Sequence, residues 1–88
     1  LASRAAGSES DLDPEAAALN ERLVEWRRER AAADGVAAYT IAHNATLVEM
    51  ARRRPTSLAD LAAVKGFGAG RAERFAEELL PLLRGENG

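Results

Sequence analysis

The 88-residue chain contains no cysteine. That excludes disulfides and zinc–thiolate sites, and it fits a reducing compartment. With a single histidine, His43, and acidic residues scattered along helical faces, there is neither a metal-ligand cluster nor a paired-carboxylate site for two-metal catalysis. His43 reads as a surface or capping-turn residue. No apolar run reaches the roughly 18 residues a membrane span needs, and no charged-then-apolar signal segment occurs. A soluble chain without membrane contact is the expectation. Aromatic residues make up only 5%, against 47% hydrophobic residues in all. The core must then be thin and helical, with Trp26, Tyr39, Phe67 and Phe75 as its bulkiest candidates. A chain of this length holds one domain and buries only about 60% of its unfolded surface. Because it opens on Leu1 rather than Met, it reads as a piece excised from something longer.

Charge is nearly balanced, at −2 overall, but unevenly spread. Residues 1–34 carry five Lys/Arg against eight Asp/Glu, residues 35–76 carry six against three, and the remainder is acidic again. The basic middle surrounds the most unusual stretch of the chain, Val64-Lys65-Gly66-Phe67-Gly68-Ala69-Gly70-Arg71-Ala72-Glu73-Arg74-Phe75. Here two apolar helical runs are joined through Gly-Phe-Gly. Glycine accepts positive φ and close backbone approach, so Phe67 can turn inward while peptide N–H groups open the following helix toward an anion. This is the logic of a helix-hairpin-helix clamp on nucleic acid. A plain tight turn explains the glycines equally well. The stretch is not a nucleotide-binding loop: it lacks the P-loop spacing and its Lys-Ser/Thr end, and it follows no strand.

Residues 1–13 lack apolar periodicity and read as a disordered linker. Asp13-Pro14 then signals a helix start, and Asp34-Gly35 its end. Ala16, Leu19, Leu23, Trp26 and Ala33 are expected on its core-facing stripe, and Glu21 to Arg30 supply a solvated face. Residues 36–42 have β-branched and aromatic content, but a lone strand has no partner, so an extended segment or one helical turn is expected. Asn44 is the expected N-cap of a short helix with Leu47, Met50 and Ala51 on one face. Arg52, Arg53 and Arg54 close that helix, and Pro55 stops it. Ser57-Leu58-Ala59-Asp60 resembles a capping box that starts a helix over 57–64. The next helix is expected from Ala69 or Gly70. Pro81 either kinks it on its way to Arg84 or splits it after Ala76. A frayed tail is expected over 85–88. The sum is an all-α, compact bundle of four to five short helices, with the domain over 14–84 and no enzyme chemistry of its own.

Several separated blocks occur in a telling order: Leu19-x-x-x-Leu23-x-x-Trp26-Arg27, Ala38-Tyr39-x-Ile41, Asn44-Ala45-Thr46-Leu47-x-x-Met50-Ala51, Pro55, Leu61, Val64-x-Gly66-Phe67-Gly68 and Arg71-x-x-Arg74-Phe75. From Leu19 to Arg84 the chain resembles the HRDC (helicase and RNase D C-terminal) domain, found in RecQ-type helicases, some UvrD-like helicases and RNase D. The resemblance implies a compact bundle of about five helices with a helix-hairpin-helix-like element, needing no cofactor and monomeric as an isolated domain. It implies a helper role in a RecQ-like DNA helicase: weak binding of single-stranded or branched DNA, or contact with the helicase core. A protein-interaction module using the acidic first helix, or an RNA-handling domain of an RNase D-like exonuclease, are the alternatives. A cytoplasmic setting follows, nucleoid-associated in a bacterium. Tyr39 matches a semi-exposed aromatic position that in DNA-binding members stacks on a base; a half-buried core tyrosine is the alternative. Lys65, Arg71 and Arg74, with the backbone at Gly66, Gly68 and Gly70, are the implied phosphate contacts. Arg52, Arg53 and Arg54 either extend that surface or merely cap their helix. Two places depart from the family pattern. Ala38 and Ala42 stand where many members have a Pro or bulky residue and an aromatic, and Ala76 stands where Gly is frequent.

Overall fold

The computed structural model describes residues 12–85. The linker expected over 1–13 and the tail expected over 85–88 therefore lie, apart from Leu12, Asp13 and Gly85, outside the described residues. Five helices follow in chain order: α1 (Pro14–Asp34), α2 (Ala38–Ile41), α3 (Asn44–Arg53), α4 (Leu58–Ala62) and α5 (Gly68–Leu83). Among the described residues there is no strand, and the expected all-α bundle is what forms.

Helix α1 begins as its sequence dictates. Asp13 Oδ1 accepts from the Ala16 N–H at 2.8 Å, and Pro14 takes the first helical position. It ends in a left-handed Gly35 with φ 69°. The Gly35 N–H donates to Ala32 O and the Val36 N–H to Ala31 O, the paired bonds of a Schellman motif. The buried stripe differs from the expected one. Ala16 and Leu23 are buried, but so are Asn20 and Ala31, while Leu19 and Trp26 are half-buried and Ala33 is exposed. At 3.6 residues per turn Ala33 lies roughly a third of a turn off the line through Ala16, Leu23 and Ala31. A helix with cover on two sides reads from sequence as a single stripe drawn slightly askew.

Residues 38–41 form the single helical turn, α2, which buries Ile41. Asn44 is not the N-cap of α3: that position belongs to His43, whose carbonyl accepts from the Thr46 and Leu47 N–H groups at 3.0 and 3.1 Å. The helix thus starts one residue early, with no side-chain cap bond. Its buried face carries Leu47, Met50 and Ala51 as expected, together with Thr46 and Val48. Arg54 terminates it in a left-handed conformation, φ 51°, and Pro55 is buried just beyond. Ser57 Oγ accepts from the Asp60 N–H at 3.1 Å, so α4 has its cap, but it ends at Ala62 rather than Val64.

Helix α5 runs unbroken through Pro81. The residue sits in the last turn, where its missing N–H deprives only one carbonyl of its partner. Buried Leu79 and Leu83 on either side anchor both halves to the same core. The expected split does not occur: α5 is one helix, ending at Leu83.

Packing has two parts. Helix α1 lies against α2 and α3, and α4 pairs with α5, which returns along α1. Leu23, Leu47, Met50, Leu61 and Leu79 fill the centre. Each such side chain stabilises the fold by roughly 1.5–3 kcal/mol through removal from water. The sparse aromatics form one chain of contacts. Trp26 meets Phe75 edge-on at 5.3 Å between ring centroids, and Phe75 meets Phe67 at 6.4 Å. Phe67 is buried between the two glycines.

Candidate nucleic-acid interface

The α4–α5 turn is built as its glycines require. Gly66 has φ 87° and Gly68 has φ 84°, values that side-chain-bearing residues rarely adopt. The Phe67 N–H closes the turn on Val64 O at 3.0 Å. Gly66 also meets a steric demand. A Cβ there would lie 2.6 Å from Thr46 Oγ1, so the turn backbone is pressed against buried Thr46 of α3. No such neighbour crowds Gly68 or Gly70. The close approach of turn to α3 is what brings Lys65 beside the residues around His43.

A shallow depression of about 590 Å³ results, lined by His43, Thr46, Glu49, Arg53, Lys65 and Gly66 among others. A second depression adjoins it across His43 and is lined by Arg27, Ala38, Tyr39, His43 and Asn44. Tyr39 is 66% exposed, so the half-buried core alternative does not describe it. Its ring lies nearly parallel to the His43 ring, at 18° with centroids 6.3 Å apart. Arg27 is held in place by a bond from Nη1 to Ala42 O at 2.9 Å. Glu49 is the carboxylate of this surface. The Arg53 Nε–H bond at 2.6 Å holds its carboxyl below the usual range, with the charges of Arg53, Arg52 and Lys65 adding. Among the described residues, Lys65 has no carboxylate within salt-bridge distance.

The ten residues expected to contact nucleic acid do not share one surface. Tyr39, Lys65, Gly66 and Arg53 gather around His43. Gly68 and Gly70 are exposed in the first turn of α5. Arg71, on that same turn, bends back to donate to Gly66 O at 3.4 Å. Arg74 reaches Asp34 at the end of α1, 3.1 Å away, and lies over the Phe75 ring. Arg52 and Arg54 instead line a depression beside the start of α1, with Arg54 ion-paired to Glu15 at 3.3 Å. The three consecutive arginines therefore split: Arg53 turns to the hairpin side, Arg54 turns away to Glu15, and Arg52 lines the depression beside α1 while reaching Glu49 at 3.5 Å. His43 and Thr46 were not among the expected contacts. The signal for His43 was its spacing, four residues after Tyr39, which lets the rings meet across the α2–α3 corner.

The arrangement is a small helical domain with an exposed aromatic next to a cation-lined depression at a glycine turn. Comparison with known proteins agrees. The profile of the HRDC domain matches residues 16–83, and the chain belongs to that family. It is 36% identical over 66 residues to the ATP-dependent DNA helicase RecQ of Pasteurella multocida, covering 75% of this chain and 10% of that protein. It is equally identical, over 76 residues, to the ATP-dependent DNA helicase UvrD2 of Mycobacterium bovis and of Mycobacterium tuberculosis, covering 86% of this chain and 10% of theirs. The chain thus spans about a tenth of the length of these relatives. No solved structure gives a match.

Proposed function

We propose that this domain is a non-catalytic nucleic-acid-binding accessory of a DNA helicase of the RecQ or UvrD type, holding single-stranded or branched DNA weakly while the helicase core works. The observation that carries this reading is the 66% exposed Tyr39 ring set beside the depression of Lys65, Arg53 and Gly66. An exposed aromatic offers a face on which any base can stack, worth roughly 1–3 kcal/mol per base. Adjacent cations suit the phosphates on either side. Weak binding follows from the count of charges, since a chain carrying −2 overall repels a polyanion outside its local clusters of cations.

An NMR titration with a single-stranded oligonucleotide at low salt tests the reading. Amide shifts are expected at Tyr39–Asn44 and Lys65–Arg71, with affinity falling as salt rises. Silence at these positions, with shifts along Glu21–Glu29 when a helicase core is added, would instead identify a protein-docking module. Glu21, Glu25 and Glu29 are exposed on α1, interspersed with Arg22 and Arg28.

A further inference from the structure

His43 stands where the two depressions meet, lining both. It is exposed, its side chain caps nothing, and its ring is already stacked against Tyr39. The charged groups sharing these depressions come from each neighbouring element: Arg27 from α1, Glu49 and Arg53 from α3, and Lys65 from the turn. Three are cations. The single carboxylate, Glu49, is already occupied by Arg53 and Arg52. A phosphodiester seated in the same place would neutralise these cations and attract an imidazolium.

We propose that His43 is a proton-linked contact for the nucleic-acid backbone: its imidazole, stacked on Tyr39 at the rim of the Lys65–Arg53 depression, takes up a proton as a strand binds and then donates to a phosphate oxygen. This rests on the reading of the surface as a nucleic-acid interface. One base stacks on the open side of Tyr39, and the next phosphate crosses His43 toward Lys65 and the Gly66 turn. The geometry needs no rearrangement of the backbone, since every group involved is already exposed or lines the depression. An imidazole changes charge between about pH 5 and pH 8, and His43 is the sole histidine of the chain. Glu49, held below its ordinary 4.5, stays ionised throughout that range and does not confound it.

The test is the affinity of the 88-residue chain for a short oligothymidylate, whose bases do not titrate in this range, measured at fixed salt from about pH 8 to about pH 5.5. Affinity should rise about three- to tenfold toward acid, the upper figure being one protonation coupled by one pH unit. His43→Asn and His43→Phe should both flatten the profile, the second retaining a ring but no titrating nitrogen. The His43 ring signals should titrate with a higher midpoint in the presence of the strand. Circular dichroism at both pH extremes checks that each variant is folded. Wild-type binding with a flat profile, an acid-side gain that survives in both variants, or an unmoved ring midpoint would overturn the proton linkage while leaving the interface in place. Absence of binding at every pH would overturn both.

Discussion

The flank of α1 that faces the C-terminal half of α5 and the corner where α2, α3 and the glycine turn meet use the same kinds of residues to opposite ends. On the first, Trp26 Nε1–H donates to Glu78 at 2.7 Å, Arg30 bridges Glu78 and Asp34 at 2.8 and 2.7 Å, and Arg74 reaches Asp34 at 3.1 Å. Each cation there has a carboxylate, and Asp34 is only 17% exposed. The bond that Arg30 donates to Asp34 raises its guanidinium above the ordinary value. On the second, an aromatic ring stands in solvent near Arg27, Arg53, Lys65 and His43, and Glu49 is the one carboxylate lining either depression. An aromatic and a set of arginines therefore knit two helices together in one place and present a surface in the other. The difference lies in which carboxylates are within reach, not in the number of basic residues. Charge becomes available for a ligand only where the fold has not already spent it.

Removing the aromatic link between the two regions has the largest expected effect. Phe75→Ala takes away the ring that touches both Trp26 and Phe67. It should cost about 3–5 kcal/mol, read from denaturant unfolding, and abolish binding only by unfolding the domain. Gly66→Ala comes next, with a loss of about 1–3 kcal/mol from a side chain held at positive φ. The contact with Thr46 adds to this. Gly68→Ala meets no such neighbour and should lose less. Adding Thr46→Ala to Gly66→Ala should recover the steric part of the loss and not the conformational part. Equal losses at the two glycines would remove the close approach from the account.

Tyr39→Ala should leave the unfolding transition in place, because the ring is exposed. It should weaken oligonucleotide binding by the roughly 1–3 kcal/mol of a stacked base, as isothermal titration or fluorescence anisotropy would show. Lys65→Ala should reduce the salt dependence of single-strand binding by about 0.7 in log–log slope, one phosphate contact fewer. Arg74→Ala should change that slope less, since Arg74 is engaged with Asp34. A larger effect at Arg74 than at Lys65 would invert the comparison of the two regions. The smallest effect concerns Glu49. Its folded carboxyl titrates below 4.5, so its pairing stabilises the domain fully above that value and is lost as pH falls through the lower folded value. Thermal melts of Glu49→Gln and wild type should therefore differ at neutral pH and converge in strong acid.

Much of this was legible in advance. Asp13-Pro14, Asp34-Gly35 and Ser57-x-x-Asp60 mark helix ends through bonds made within a few residues, and such marks survive whatever the rest of the chain does. Phe67 between two glycines announced an inward plug for the same reason. His43 in place of Asn44 as the cap was not legible. Both positions suit the start of α3, and the choice went to the one that lets Ile41 and Ala42 be buried under α1. The continuity of α5 through Pro81 was equally undecidable locally, because it depends on Leu79 and Leu83 sharing one core.

The sequence by itself determined the helical class, both ends of α1, the cap of α4, the glycine turn and the family, because each is written in short-range chemistry or in the order of separated blocks. Only the tertiary structure decided which arginines are available. Arg52, Arg53 and Arg54 are adjacent in the chain, yet the turn of α3 sends Arg53 toward Lys65 and Arg54 toward Glu15. Arg74, forty residues beyond Asp34, is drawn across the domain to it. Ion pairing depends on distance in space, and the packing of α1 against α3 and α5 sets those distances.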